Sequence, residues 1–188
     1  MKRLIPLSVL ALCFALIAVG CAKPPAKEME AAKASIDAAI QAEADKYAPD
    51  ELNAAKKAFD DGKAAVEAKN YKSAKNLFIE AKDSADRAIE AAKANKEKVE
   101  AEVQELIPEV EKIFNEANRK VRTVPRYPRS RYRKLGIKAK KALLDSLEGV
   151  LVSAKADFDS ARYYESKMKL TDVKAKSQEI IDSIKGKK

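Results

Sequence analysis

The chain has 188 residues, of which 46% are hydrophobic, 6% aromatic and 36% charged, and its formal net charge is +9. It holds two cysteines and neither histidine nor tryptophan, which excludes Ser-His-Asp and Cys-His catalytic sites and removes the usual metal ligands. We therefore expect no enzyme activity, no metal site, no cofactor and no small-molecule substrate. Abundant Ala, Glu, Lys and Leu with only 5 glycines are typical of long helices or coiled coils.

The N-terminus has the pattern of a secretory signal. Lys2 and Arg3 precede an apolar run over residues 4–19, and Gly20 and Cys21 follow it. The run is short of the roughly 20 residues that cross a bilayer comfortably. A positive start, a short apolar stretch and small residues at its end predict a removable signal over residues 1–20. An ordinary cleavage near Gly20 that leaves a free cysteine is the alternative.

The exit of this segment, Ala18-Val19-Gly20-Cys21, resembles a bacterial lipobox. The resemblance implies cleavage before Cys21, a diacylglycerol on its thiol and acylation of the new amino group. Two or more acyl chains anchor firmly, since each buried methylene contributes about 0.8 kcal/mol. An Asp after the cysteine tends to retain Gram-negative lipoproteins on the inner membrane. Ala22 stands there, so the resemblance implies the periplasmic face of the outer membrane.

The first predicted elements after the cleavage site are a tether and two helices. Residues 21–26 hold two prolines and form an extended, lipidated tether. Apolar spacing predicts a helix over residues 27–47, with Met29 and Tyr47 on the inward stripe. The Ala48-Pro49 step ends it and starts a second helix over residues 49–69. Gly62 in that helix indicates a close helix crossing, and Asn70 is suited to a left-handed turn or to capping the next helix.

A long third helix is predicted from residue 71 to 119. Its apolar residues step by three and four with one stutter, which makes a heptad-like seam about 73 Å long at 1.5 Å per residue. The seam residues are Tyr71, Ala74, Phe78, Ala81, Ala85, Ala88, Ala92, Asn95, Val99, Val103, Leu106, Val110, Ile113 and Ala117. Pro108 should kink the helix. Asn95 either fixes the register of the seam or faces solvent where a partner helix ends.

The C-terminal third begins with a connector. Pro125 and Pro128 predict that residues 121–135 are not helical, and Gly136 ends the segment. A fourth helix is predicted over residues 137–167, with Phe158, Ala161 and Met168 among its inward residues, and a fifth over residues 170–184. The predicted fold is therefore all-α, with elongated antiparallel hairpins in a coiled-coil-like bundle around one very long helix. The predicted domains are a helical hairpin with the long helix at 27–119, a connector at 120–136 and a C-terminal hairpin at 137–188.

The stretch from Tyr47 to Ala92 carries Tyr47-Ala48-Pro49-Asp50-Glu51-Leu52, then Lys69-Asn70-Tyr71 followed by spaced alanines. This resembles DUF4398, a domain of unknown function found in bacterial envelope lipoproteins. The resemblance implies an envelope role and supplies no catalytic residues. The same hairpin is similar to one tetratricopeptide unit, but a solenoid needs about three repeats and no second copy occurs.

The charge is segregated. Residues 119–141 contain eleven basic residues and no acid, while the rest of the chain after residue 20 has 25 basic against 29 acidic. Arginines that alternate with tyrosines can bind phosphate by bidentate contacts and stacking. The candidate anion-binding residues are Arg122, Arg126, Arg129, Arg131, Arg133 and Lys134. Nucleic acid is not an expected partner of a secreted chain, so lipopolysaccharide phosphates, anionic lipid headgroups and peptidoglycan carboxylates remain. The alternative is a solvated connector whose charges pair with the acidic body.

Three functional hypotheses follow. The first is a membrane-anchored periplasmic spacer or interaction adaptor, with an envelope protein or a second copy of the chain as partner. The second is a binding module for peptidoglycan or lipopolysaccharide through residues 119–141. The third rests on a similarity to Braun's lipoprotein, in which the C-terminal Lys188 is linked to peptidoglycan, although Ile184-Lys185-Gly186 departs from that family's tail. The carboxylates do not predict a catalytic pair, because lysines surround them on helical faces: Asp60, Asp61, Glu100, Glu102 and Glu105.

Overall fold

A computed structural model describes residues 23–125 and 128–185. Every regular element in these ranges is an α-helix, which confirms the all-α prediction with one very long helix. The predicted signal at 1–20, the lipidation site Cys21, Arg126 and Lys188 lie outside the described residues. The helices are α1 Ala26–Gln41, α2 Ala44–Tyr47, α3 Pro49–Glu67, α4 Tyr71–Thr123, α5 Arg129–Lys134, α6 Ile137–Asp159 and α7 Tyr163–Lys185.

Contacts divide the described chain into two compact units. The first comprises residues 23–44 and 49–89, and the second comprises residues 45–48 and 90–185 without 126 and 127. The helix α4 contributes residues to both units, since the division falls between residues 89 and 90. The short helix α2 belongs to the second unit except for its first residue.

The first unit is held together by α1, α3 and the N-terminal part of α4. Its core is made mostly of alanines around one large aromatic: Ala32, Ala58, Ala74, Phe78 and Ala81. Alanine brings little apolar area, so such a core needs helices that approach closely. At Gly62, where a Cβ would lie only 2.6 Å from Cε1 of Phe78, the two helices do approach closely. The crossing predicted from this glycine is confirmed.

The predicted first helix is wrong in its extent. The chain turns at residues 42 and 43, where Glu43 adopts a left-handed φ of 59°, so α1 and α2 are separate helices. Met29 also departs from the prediction, because its side chain is 38% exposed. Ala32, Ile36 and Ala39 form the buried stripe instead.

In the turn between α3 and α4, the residue in the left-handed conformation is Lys69, with φ 57°, and not Asn70. Asn70 N–H donates to Ala65 O at 2.8 Å, and Lys69 N–H donates to Val66 O at 2.9 Å. This is the Schellman arrangement that ends a helix. The Oδ1 of Asn70 accepts a hydrogen bond from the Ser73 amide at 3.3 Å, so the predicted capping role of Asn70 is confirmed.

The helix α4 runs through 53 residues with Pro108 inside it. A proline removes one backbone donor, yet the turns on either side of Pro108 remain helical. The seam is filled within the chain, since Ala74, Ala81, Ala85, Ala88 and Ala92 are fully buried. The helix also continues to Thr123, so the prediction of irregular structure from residue 121 is wrong.

The second unit packs the C-terminal part of α4 against α6 and α7 around a larger apolar core. Its fully buried large residues include Val103, Val110, Val121, Ile137, Leu147, Leu170, Val173 and Ile181. Ion pairs flank this core between α4 and α7, with Lys167 Nζ 2.5 Å from Glu102 Oε2 and Lys174 Nζ 2.7 Å from Glu109 Oε1. They are partly exposed and each contributes under about 1 kcal/mol.

The segment at residues 45–48 is fastened inside this second unit. Asn95 Nδ2 donates to the Tyr47 carbonyl oxygen at 2.7 Å, and Lys46 Nζ lies 2.7 Å from Glu165 Oε1. The Tyr164 amide donates to the Tyr47 hydroxyl oxygen at 3.1 Å. Asn95 therefore binds the backbone at the end of α2, which goes beyond either role predicted for it.

The predicted break between the last two helices is misplaced. The helix α6 ends at Asp159, where Ala161 adopts a left-handed φ of 57° and Arg162 N–H donates to Asp157 O at 2.8 Å. Asp157 is buried and binds both Arg162 and Lys169 at 2.5 Å, which fixes the turn. Consequently Met168 is 58% exposed, and the inward positions predicted for Ala161 and Met168 are wrong.

Candidate anion-binding site

The connector that was predicted to be irregular contains the helix α5, Arg129–Lys134. Pro128 precedes it in an extended conformation, with φ −72° and ψ 142°. Gly136 separates α5 from α6 with a left-handed φ of 61°, a conformation that glycine adopts without steric cost. Lys140 Nζ donates to the Leu135 carbonyl oxygen at 2.8 Å, which ties the start of α6 back to this turn.

The predicted anion-binding residues fall into two groups. Arg122 is exposed near the end of α4, and its Nε donates to Asn118 Oδ1 at 2.8 Å. Four others lie together on α5 with exposed side chains: Arg129, Arg131, Arg133 and Lys134. The structure therefore brings most of the predicted cluster onto one short helix.

Pairing with the acidic body was the alternative explanation for these charges. Lys120 does pair with Glu116 on its own helix, at 3.4 Å. In the part of the chain that the structure describes, no carboxylate lies within ion-pair distance of Arg131, Arg133 or Lys134. These three side chains keep their positive charge unneutralised by neighbouring carboxylates.

A groove lies between α5 and the start of α6, within the second unit. Its volume is about 1070 Å³. Cations and apolar side chains line it together: Arg129, Tyr132, Arg133, Gly136, Ile137, Lys138, Ala139 and Ala142. No acidic residue is part of this lining.

The electrostatics at the start of α6 favour an anion. The backbone amides at a helix N-terminus carry a partial positive charge, so acidic residues stabilise the first turn and basic residues do not. The helix α6 has no acid there, and Gly136 offers no side-chain cap. Lys138, Lys140 and Lys141 all stand within its first five residues. This crowding of like charge is an unfavourable arrangement that a bound anion would relieve.

Sequence reasoning identified the charges of this site but missed most of its apolar half. Tyr132 belonged to the predicted run of alternating arginines and tyrosines, but Ala139 and Ala142 were not predicted as site residues, and Ile137 was assigned to the inward stripe of the fourth helix. A helical spacing of 129, 132, 133 and 136 is present in the sequence, and it would have placed Tyr132 beside Arg129 and Arg133. The two prolines outweighed that signal.

The carboxylates form no comparable site. Asp60 pairs with Lys63 at 2.7 Å in the first unit, and Glu102 pairs with Lys167 in the second. Glu100 accepts a hydrogen bond from Tyr163 and thereby raises the pKa of that phenol. No group of three or more His, Cys, Asp or Glu suited to a metal ion occurs among the residues that the structure describes.

The N-terminal part of the chain, from α1 through the first two-thirds of α4, is similar to a known protein family. Residues 27–105 match DUF4398, a domain of unknown function. The resemblance noted in the sequence is thus confirmed, although the match ends at residue 105 and not at residue 119, where the predicted domain ends. The DUF4398 region ends inside α4, so the candidate site at residues 129–142 lies beyond it. No curated protein and no solved structure matches the chain. Within the described ranges, no helix has the length and apolarity needed to cross a membrane.

Proposed function

We propose that this protein is a lipoprotein anchored through Cys21 to the periplasmic face of the outer membrane, where its helical body acts as a spacer or interaction adaptor. The observation that carries the proposal is the N-terminal pattern, in which Lys2 and Arg3, an apolar run and Ala18-Val19-Gly20-Cys21 follow one another. The described body contains no span that could hold it in a membrane, so acyl chains on Cys21 would supply the attachment.

The packing of the body indicates which surfaces a partner would use. The seam of α4 is covered by helices of the same chain, so no partner helix is required to complete the fold. A partner would therefore bind outer surfaces, where exposed apolar side chains are available. The large exposed apolar residues on the last two helices, α6 and α7, include Leu143, Val152, Tyr164 and Met168.

The anchor is tested by metabolic labelling with radioactive palmitate and by the mass of the N-terminal peptide. The natural chain should incorporate label and sediment with outer membranes, whereas Cys21→Ser should be unlabelled and remain uncleaved. A mature protein that carries residues 1–20 and no lipid would overturn the proposal. The adaptor role is tested by crosslinking in intact cells, which should trap one defined partner or the protein itself. A random set of envelope neighbours would contradict it.

A second candidate function is the binding of anionic envelope polymers, peptidoglycan or lipopolysaccharide, through the connector. The observation that favours it is the lack of ion-pair partners for Arg131, Arg133 and Lys134 in the described chain. Neutralising these cations within the fold would require acidic neighbours, and the described residues place none within ion-pair distance. Exposed guanidinium groups are well suited to bidentate contacts with phosphate or carboxylate.

The test is retention of the protein on isolated peptidoglycan and on immobilised lipopolysaccharide at rising salt. Retention should fall steeply between about 0.05 and 0.5 M salt, because screening shortens the reach of exposed charges. Changing Arg131, Arg133 and Lys134 to Gln should abolish it. A matched control removes three exposed lysines of the first unit, Lys33, Lys56 and Lys57, and should leave retention intact. Equal loss in both triple variants would show that net charge alone is responsible.

A further inference from the structure

The geometry points to a lipid with a phosphate-bearing, anionic headgroup as the ligand of the groove between α5 and α6. The acyl chain would lie on the apolar floor, and the headgroup phosphate would contact Arg133 and Lys138. This inference rests on the second candidate function, since it names the ligand class that the connector selects. It narrows that function, because it requires an acyl chain as well as negative charge, and peptidoglycan has no acyl chain.

The floor of the groove is apolar. Ile137 is fully buried beneath it, while the methyl groups of Ala139 and Ala142 and the ring of Tyr132 line it. Alanine methyls offer no hydrogen bond to sugar hydroxyls, so a polysaccharide would lose water there without compensation. A hydrocarbon chain gains by covering the same surface. The floor thus discriminates between an acyl chain and a sugar polymer.

The size of the groove agrees with this ligand. Pockets for small molecules in proteins occupy about 300–1000 Å³. The groove, at about 1070 Å³, lies just above that range. A free phosphate would fill only a small part of it. A molecule with a headgroup and a chain uses both its rim and its floor.

The charges at the rim complement a phosphate. Arg133 and Lys138 border the groove and have no carboxylate within ion-pair distance in the described chain. Arg129 borders it as well. Lys138 also stands in the first turn of α6, where the helix dipole adds to the attraction for an anion. The apolar floor and the cationic rim meet along the same few residues.

The inference is tested with the full chain in a non-ionic detergent and a photoreactive benzoylphenylalanine in place of Leu143, which is exposed next to the lining residue Ala142 and is not itself part of the lining. The probes are dihexanoyl phosphatidylglycerol as a monomer, dihexanoyl phosphatidylcholine and glycerol 3-phosphate. After illumination, mass spectrometry of the peptides measures the attached probe. The anionic lipid should be attached at least about tenfold more than the zwitterionic lipid. The same photoreactive residue in place of Ala156, which is exposed farther along α6, should capture about tenfold less.

Two sets of variants separate the chain from the charge. Ala142→Trp fills the floor of the groove from an exposed position and should reduce capture at position 143 about tenfold. Arg133→Gln with Lys138→Gln should do the same by removing the rim charges. The control Lys56→Gln with Lys57→Gln changes the net charge equally at exposed sites of the first unit and should have no effect.

Each outcome is decisive. Equal capture of the two lipids, equal capture at positions 143 and 156, or no effect of Ala142→Trp would overturn the lipid assignment. Attachment of glycerol 3-phosphate at position 143 as strong as that of the anionic lipid would show that phosphate alone is recognised, and would also overturn it. If the lipid assignment fails but the protein still shows salt-sensitive retention on peptidoglycan, the second candidate function stands. If that retention is absent as well, the second candidate function fails too.

Discussion

The close contact between Gly62 and Phe78 predicts that adding one methyl group at position 62 destabilises the protein. In Gly62→Ala the added Cβ would lie 2.6 Å from Cε1 and 2.8 Å from Cδ1 of Phe78. That ring is fully buried and packs against Phe59, with ring centroids 5.5 Å apart, so it cannot move aside without disturbing its neighbour. Overpacking of this kind costs about 1–3 kcal/mol. Alanine regains about 1 kcal/mol of helix propensity over glycine. We therefore expect a net destabilisation of about 1 kcal/mol, the difference between those two estimates.

A second helical glycine supplies the matched control. At Gly149, in α6, an added Cβ would meet nothing within 4 Å. Only the propensity gain applies, so Gly149→Ala should stabilise the protein by about 1 kcal/mol. The same chemical change is therefore expected to have opposite signs at two positions in one chain.

The measurement is thermal and urea unfolding followed by circular dichroism at 222 nm. For a chain of this length, 1 kcal/mol shifts the melting temperature by about 2–4 °C, so the two variants should differ by about 4–8 °C. Adding Phe78→Leu should rescue part of the loss in Gly62→Ala, which a double-mutant cycle would reveal as coupling. If Gly62→Ala raises the melting temperature as Gly149→Ala does, the tight crossing is refuted.

Three further predictions concern the turns and the fastened segment. Hydrogen bonds from two cations lower the pKa of Asp157, so Asp157→Asn should destabilise the protein at neutral pH. That difference should shrink as the pH falls below about 4 through the lowered pKa, as urea titrations at pH 7 and pH 3 can show. Asn95→Ala removes the donor to Tyr47 and should cost about 1 kcal/mol; faster hydrogen exchange in α2 would confirm it and unchanged exchange would contradict it. Ala161→Gly should raise stability by up to about 1 kcal/mol by relieving a left-handed alanine, and a lowered melting temperature would count against this.

The sequence predicted the helices and their buried faces where a periodic pattern reports burial directly. Phe78 and the seam alanines of α4 repeat at three and four residues, and all of them are buried as expected. Gly62 carried a further signal, because an interior glycine is costly in a helix unless something approaches closely. The periodic pattern thus contained the information for both the seam and the crossing.

Helix ends were harder to predict, for a definite reason. Glu43, Lys69 and Ala161 adopt the left-handed conformation that glycine normally supplies at helix termini. None of these residue types marks such a turn, so α1 was predicted too long and the break after α6 was placed too late. At Ala161 the turn depends on Asp157 and its two cationic partners, which are tertiary contacts that a local pattern does not show.

The candidate site was predicted in part. Its positive charge is a property of composition and was evident in residues 119–141. The groove is not, since it requires α5 to be helical and the chain to turn at Gly136, so that Tyr132 and Ala142 face the same space. Proline-rich flanks argued against any helix there, and six helical residues are too few to produce a persuasive periodicity.

The continuous helix α4 has a consequence for dissecting this protein. The division of the chain into two units falls inside this helix, between residues 89 and 90. A protease or a gene truncation that separated them there would expose the amides and carbonyls of newly made helix ends. The DUF4398 boundary at residue 105 would do the same. A fragment chosen at either border would therefore inherit a frayed end, and the shortest fragment with an intact long helix extends to Thr123.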